Sequence, residues 1–190
     1  MGPDLCHSMR MTEISVRRLG EADWEEYRQT RLRALTESPE AFVASVDEET
    51  EYPEERWRDR MRRSQRLLAE RDGQAMGVAS VGSESTPDET VGELFGLWVS
   101  PDARGSGVAR RLLEAAARAA RETEMKHLVY WVGSDNGRAV AFASSFGFRP
   151  TDNRRPMALR GDVEDEDEDA TELAMVLPLG TSTGDIPTSL

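Results

Sequence analysis

The segment best suited to chemistry runs from Glu93 to Ala109. An apolar stretch, Leu94-Phe95-Gly96-Leu97-Trp98-Val99, breaks at Ser100-Pro101, and Arg104-Gly105-Ser106-Gly107 then opens a long amphipathic run. This order reads as strand, turn and helix. The first amides of a helix have no partner inside it, and the backbone dipole places positive partial charge there. Glycines at such a mouth let a ligand approach the backbone closely. The chemistry this suggests is binding of a phosphate or pyrophosphate. A turn with a glycine start to the helix, and no ligand, is the plainer reading of Gly105-Ser106-Gly107 taken alone.

Other phosphate loops fit poorly. No Gly-Lys-Ser/Thr follows, so this is not a Walker loop, and Arg110 stands where a dinucleotide fingerprint needs its third glycine. His7 and His127 lie far apart in sequence, without companion ligands at metal spacing. The seven carboxylates between Asp162 and Asp169 lack the central glycine of a calcium loop. No metal is expected, and no Ser-His-Asp arrangement is suggested. Trp24, Trp57, Trp98 and Trp131 are expected as core or cleft walls.

The surrounding elements must position that turn. Alternation predicts a first strand over Glu13–Leu19, and Glu21–Thr36 reads as a helix stopped by Ser38-Pro39. Phe42–Val46 is expected as a short apolar anchor and Pro53–Arg63 as a second helix. Strands follow over Arg66–Glu70 and Ala75–Gly82, joined by an Asp72-Gly73 hairpin turn. Val91–Val99 is a long strand and Arg104–Thr123 the clearest helix, with Glu114 and Arg118 spaced to pair along it. Lys126–Val132 reads as a strand, Asn136–Phe146 as a helix closed by Gly147, and Phe148 as the start of another strand. Thr171–Leu177 reads as the last strand. Interleaved strands and helices imply an α/β or α+β sheet with helices packed on it.

A chain of 190 residues suits one domain with a real core. We expect residues 1–11 as a leader, 12–179 as the domain and 180–190 as a fraying tail. Met1–Arg10 lack the apolar core of a signal peptide, and no run of about 20 apolar residues suggests a membrane span. The single Cys6 cannot form an internal disulfide, so a cytoplasmic, reducing location is the default. The net charge of −12 argues against nucleic acid as partner and is compatible with a cationic substrate.

Further motifs place the phosphate turn in context. Arg104-Gly105-Ser106-Gly107-Val108-Ala109, preceded by Leu97-Trp98-Val99-Ser100-Pro101, resembles motif A of the GCN5-related N-acetyltransferase family. Asn136-Gly137-Arg138-Ala139-Val140-Ala141-Phe142 and Gly147-Phe148 resemble that family's later signature, in the same order and spacing. The element order from Glu13 to Leu177 is similar as well, so the resemblance covers nearly the whole chain.

The resemblance implies a mixed central sheet of about seven strands, mostly antiparallel in its first half, with helices on both faces. It implies that a bulge splays the fourth strand from the fifth, leaving a gap for the pantetheine of acetyl-CoA. Backbone groups of Leu97 and Val99 would bond the pantetheine, and Trp98 or Val99 would offer an amide to the thioester oxygen. The turn Arg104, Gly105, Ser106, Gly107, Val108 and Ala109 would hold the pyrophosphate. Asn136 would fix the coenzyme near the thioester, and it also suits a helix cap. Glu93 is in register with the family's glutamate base, though a solvated strand-end glutamate would look the same.

The departure is Ala143, where many members carry the tyrosine that protonates the leaving thiolate. Ser144, Ser145 or water could serve instead. The implied function is acetyl transfer from acetyl-CoA to a primary amine of a small molecule, by direct attack in a ternary complex. Alternatives are transfer to a protein N-terminus or lysine, or a coenzyme-binding sensor with little turnover. The protein is expected to work as a monomer or homodimer without metal. The acidic run at Asp162–Asp169 is expected beside the acceptor mouth, either as a solvated loop or as a device that steers cationic amines.

Overall fold

A computed structural model describes residues 13–83, 91–157 and 170–180. Its strands are β1 (Ser15–Leu19), β2 (Gln65–Arg71), β3 (Gln74–Ser83), β4 (Val91–Val99), β5 (His127–Gly133), β6 (Arg149–Pro156) and β7 (Thr171–Pro178). The helices are α1 (Trp24–Glu37), α2 (Val46–Thr50), α3 (Glu54–Arg63), α4 (Val108–Glu122) and α5 (Gly137–Phe146). One sheet holds the seven strands in the order β1-β2-β3-β4-β5-β7-β6. Only the β4–β5 pair is parallel. A parallel pair needs a crossover, and α4 supplies it. The mixed sheet expected from the sequence is therefore present.

Two apolar layers hold this sheet. On one face, Leu112, Leu113, Ala116 and Ala120 of α4 pack on Leu67, Ala79, Val81 and Leu94, and Ala143 of α5 joins the same core. On the other face, Tyr27 and Ala34 of α1 and Trp57 and Met61 of α3 pack on Leu68, Val78 and Trp98. A smaller cluster on the second half of the sheet contains Val129, Trp131, Ala174 and Val176. The β2–β3 hairpin turns through Asp72 (φ 54°) and Gly73 (φ 75°), the left-handed pair that a tight hairpin requires.

Several local details differ from expectation. A 3-10 turn at Glu21–Asp23, in which Gly20 donates to Asp23 Oδ2 at 2.7 Å, precedes α1 and delays its start to Trp24. The predicted anchor Phe42–Val46 is not one unit. Phe42 packs on the α1–α3 layer, Val43 is exposed, and Val46 begins α2, capped by Ser45. Glu114 reaches back to Arg110 and Arg111 rather than forward to Arg118. The leader, the C-terminal tail from residue 181 and the acidic run lie outside the described residues.

Candidate active site

The cleft begins where β4 leaves β5. The two strands pair only from Val91–Leu94 to His127–Tyr130. Immediately afterwards the register of β4 against β3 slips by one residue, between Val78 and Ser80. Gly96 takes a left-handed φ of 61° there. An extra residue in one strand bends it and strengthens its twist. The slip also resets which way the side chains point: Leu97 and Val99 join the α4 layer, while Trp98 joins the α1–α3 layer. The edge of β4 that faced β5 is thereby left without a strand partner. Glu93, Phe95, Leu97, Tyr130, Trp131 and Arg155 line the resulting opening.

The helix mouth lies at the end of the same strand. Gly105 and Gly107 both hold left-handed backbone, at φ 79° and 88°, and a Cβ at either would meet nothing within 4 Å. The chain leaves β4 through a 3-10 turn at Pro101–Ala103, so α4 starts at Val108 rather than at Arg104. The amides of Val108, Ala109 and Arg110 form the first helical turn and have no carbonyl one turn behind them in the helix. No acidic side chain occupies that turn, and Arg110 and Arg111 stand there instead. Val108 is buried in the α4 core, which fixes the direction of the helix axis. Ser106 Oγ donates to the Ala103 carbonyl at 2.6 Å.

The Arg104 side chain points back into the fold. Its guanidinium donates to the Val99 carbonyl at 3.4 Å and to Ser38 Oγ at 2.9 Å. Ser38 is fully buried and also accepts from the Trp98 indole at 3.1 Å. Arg104 thus ties the turn to the end of α1. Trp98, at 3% exposure, is a core residue by its side chain, so only its backbone can face the cleft.

Glu93 faces the cleft from the paired part of β4. Arg155 of β6 donates to Glu93 Oε1 at 3.3 Å and to Glu172 of β7 at 2.6 Å, and it stacks on Trp131 at 4.4 Å. The carboxylate is therefore held by a cation, which the sequence did not reveal. Asn136 is exposed and caps α5, its Oδ1 accepting from the Ala139 amide at 3.1 Å. The structure thus places Glu93 and Leu97 in one opening, while the Arg104–Ala109 turn follows the end of the same strand. Asn136 stands at a separate helix start.

Ala143 is completely buried in the α4–α5 core. Ser145 turns its hydroxyl back onto the Phe142 carbonyl at 2.7 Å, and Ser144 is exposed. Tyr130, the last residue of β5 paired with β4 and opposite Leu94, is among the residues that line the opening, and its ring meets Phe148 edge-on beside the α4–α5 core. Burial, helped by the nearby charge of Glu172, pushes its hydroxyl above the ordinary value, so it stays protonated. Sequence reading missed it because it looked like one more alternating residue of a strand.

Among the described residues no helix is long and apolar enough to cross a membrane, and no group of three or more His, Cys, Asp or Glu is placed to hold a metal ion.

Comparison with known proteins bears on the family and the fold. The chain is 29% identical over 140 residues to a mycothiol acetyltransferase of Acidothermus cellulolyticus, covering 67% of this chain and 42% of that protein. It spans about two fifths of the length of such curated relatives. It is 36% identical over 93 residues to an uncharacterized N-acetyltransferase of Archaeoglobus fulgidus, covering 47% of this chain and 60% of that one. Among solved structures, a protein of Salmonella typhimurium described as an acetyltransferase, with its cofactor acetyl-CoA, superposes with a TM-score of 0.66 at 20% identity. That match covers 92% of this chain and 99% of the other. The ribosomal-protein-alanine N-acetyltransferase of Brucella melitensis gives a TM-score of 0.63 at 24% identity, over 86% and 99% of the two chains. The profile of the acetyltransferase (GNAT) family matches residues 19–148, and the chain belongs to that family.

Proposed function

We propose that this acetyltransferase moves the acetyl group of acetyl-CoA onto a primary amine of a small molecule, by direct attack in a ternary complex. The observation that carries the reading is the opening between β4 and β5, which meets a glycine turn at the start of α4. The residues present fit the coenzyme. Two left-handed glycines leave the turn open, and the first turn of α4 has no carboxylate to repel phosphate. The unpaired edge of β4 offers backbone groups to an extended ligand, as a strand edge does. In the Arg104–Ala109 turn the amides of Arg104 and Ser106 already donate to the Pro101 and Ala103 carbonyls, so those of Gly105, Gly107, Val108 and Ala109 would hold the pyrophosphate, and Leu97 and Val99 the pantetheine. Asn136 keeps a second role open, because its cap uses only the side-chain oxygen.

The coenzyme supplies acetyl as an activated thioester. The chain must do the rest. Glu93 takes the proton of the incoming ammonium, directly or through water. Its ion pair with Arg155 orients the carboxylate and ties it to Glu172. An amide at Trp98 or Val99 is the donor to the thioester oxygen. Tyr130, kept protonated by burial, replaces the absent tyrosine of α5 as proton donor to the departing sulfur. A small acceptor is favoured because the curated relatives are named for mycothiol rather than for a protein.

The test is release of free CoA thiol from acetyl-CoA in the presence of an amine library. Amine-dependent release supports the reading. Tight acetyl-CoA binding with no release by any amine would leave a sensor and sink the enzyme mechanism.

A further inference from the structure

Beside the cleft lies a second cavity, of about 270 Å³, whose charged wall is made of arginine. Arg31 of α1, Arg60 of α3 and Arg66 of β2 all line it. It shares Phe42, Phe95 and Gly96 with the opening that holds Glu93, so the two spaces are neighbours across the β4 bulge.

The charges in this wall do not balance within the described residues. Glu49 of α2 is fully buried and is saturated by four hydrogen bonds. Arg31 gives two at 3.1 Å, and Arg60 gives two at 3.0 and 3.2 Å. The four groups are three guanidiniums against one carboxylate. Arg66 is the one left over. It is only 5% exposed, and it donates to neutral oxygens alone: Ser80 Oγ at 2.5 Å and the Arg60 carbonyl at 3.0 Å. Its buried Nε has no hydrogen-bond partner among the described residues. The rings of Tyr27 and Phe95 flank it, 4.8 and 5.3 Å from the guanidinium carbon.

Burying a charge without a counterion is costly, and apolar residues of similar volume are often as stable or more so. Burial does push the Arg66 guanidinium below its ordinary value. Arginine nevertheless remains charged in proteins. A fixed, desolvated fork with unused N–H groups is therefore kept at the wall of a cavity. Such a fork matches a carboxylate or phosphate in geometry as well as in charge.

We propose that this cavity binds an oxyanionic group, carboxylate or phosphate, carried by the acceptor amine, with Arg66 as its principal anchor. This rests on the acetyl-transfer reading above, because the neighbouring cleft is where the acceptor's amine must arrive. It narrows the acceptor to molecules that bear both an amine and an anion. It also runs against a purely polycationic acceptor, the class with which net charge is compatible and which a steering role of the acidic run would serve.

The test has a binding arm and a kinetic arm, both on the full chain. In the first, sodium succinate and sodium phosphate are added at an ionic strength held constant with sodium chloride, and melting temperature is read. The parent is expected to gain stability and Arg66→Met to gain none. Ser80→Asp is the second variant, because it puts a carboxylate against Arg66 from within. It is expected to melt above the parent without added anion and to gain nothing from it. The larger rise, with succinate or with phosphate, identifies the anion. Equal rises in all three proteins overturn the pocket.

The kinetic arm compares amino acids with their amides, and aminoalkyl phosphates with the matching amino alcohols, by thiol release. In the parent, kcat/KM should favour the anionic member by roughly 10- to 100-fold, the worth of charge-assisted hydrogen bonds. The ratio should fall near one in Arg66→Met. A ratio near one in the parent overturns assignment of the cavity to the acceptor. Absence of thiol release with every amine overturns the transfer reading, and with it the acceptor's place here. The melting shift separately reports whether the cavity holds an anion.

Discussion

Gly107 gives the sharpest test of the coenzyme site, because the structure separates its folding cost from its binding cost. Its φ of 88° is left-handed, which disfavours any residue with a Cβ by roughly 1–2 kcal/mol. A Cβ at Gly107 would meet nothing within 4 Å, so no packing loss is added. For a chain of this size 1 kcal/mol lowers the melting temperature by about 2–4 °C. Gly107→Ala and Gly107→Glu should therefore melt about 2–8 °C below the parent.

Binding should suffer far more in the glutamate variant. Its side chain projects in front of the first-turn amides and brings a negative charge where pyrophosphate must sit. Losing two hydrogen bonds to a charged group, at about 1.5–3 kcal/mol each, weakens binding on the order of 10²- to 10⁴-fold. Isothermal titration with acetyl-CoA measures this directly, and thermal unfolding monitors the fold. If Gly107→Glu is folded and its Kd lies within about 3-fold of the parent's, the coenzyme phosphates are not at this turn. If instead it melts more than about 15 °C low, the inference from open space around Gly107 is wrong.

Glu93→Gln keeps shape but cannot accept a proton, so kcat should fall, most at lower pH where the amine is ammonium, with acetyl-CoA affinity unchanged. An unaltered pH–rate profile would make Glu93 a structural partner of Arg155. Tyr130→Phe should lower kcat by roughly 10- to 100-fold with little change in melting temperature, and an unchanged kcat would leave water as the proton donor. At Glu49, burial pushes the carboxyl up, but hydrogen bonds from Arg31 and Arg60 outweigh it and leave a net lowering below the ordinary 4.5. A carboxyl lowered in the folded state stabilises fully above its unfolded value, and that stability is lost as pH falls through the folded value. Melting temperature should thus drop below pH 4.5 more steeply in the parent than in Glu49→Gln. At neutral pH that variant should be about 3–5 kcal/mol less stable, because two arginines lose a buried partner. Equal acid slopes for the two proteins would show that Glu49 is not the titrating group.

What the sequence alone determines here is local or periodic. The turn at Arg104–Gly107 is legible because left-handed backbone needs glycine wherever it occurs, so the residues announce the conformation. α4 is legible because Val108, Leu112, Leu113, Ala116 and Ala120 repeat at helical spacing, and all five are buried, together with Ala117 and Ala119. The β2–β3 hairpin is legible from Asp72-Gly73 for the reason that applies to the glycine turn. α2 was hidden because a helix running Val46–Thr50 is too short to show a period.

Tertiary packing decides the rest. The place where β4 parts from β5 depends on how far a crossover pair can stay in register past a bulge, which no stretch of sequence states. Glu93 reads as a strand-end acid, and its pairing with Arg155 comes from a strand 62 positions later in the chain. The arginine wall is the clearest case. Arg31, Glu49, Arg60 and Arg66 come from four separate elements, and each reads in sequence as a solvated surface charge. They meet around one cavity only when α1, α2 and α3 close over the sheet and remove the water between them. Desolvation belongs to the assembled fold, since it depends on what surrounds a group in space rather than on its neighbours along the chain.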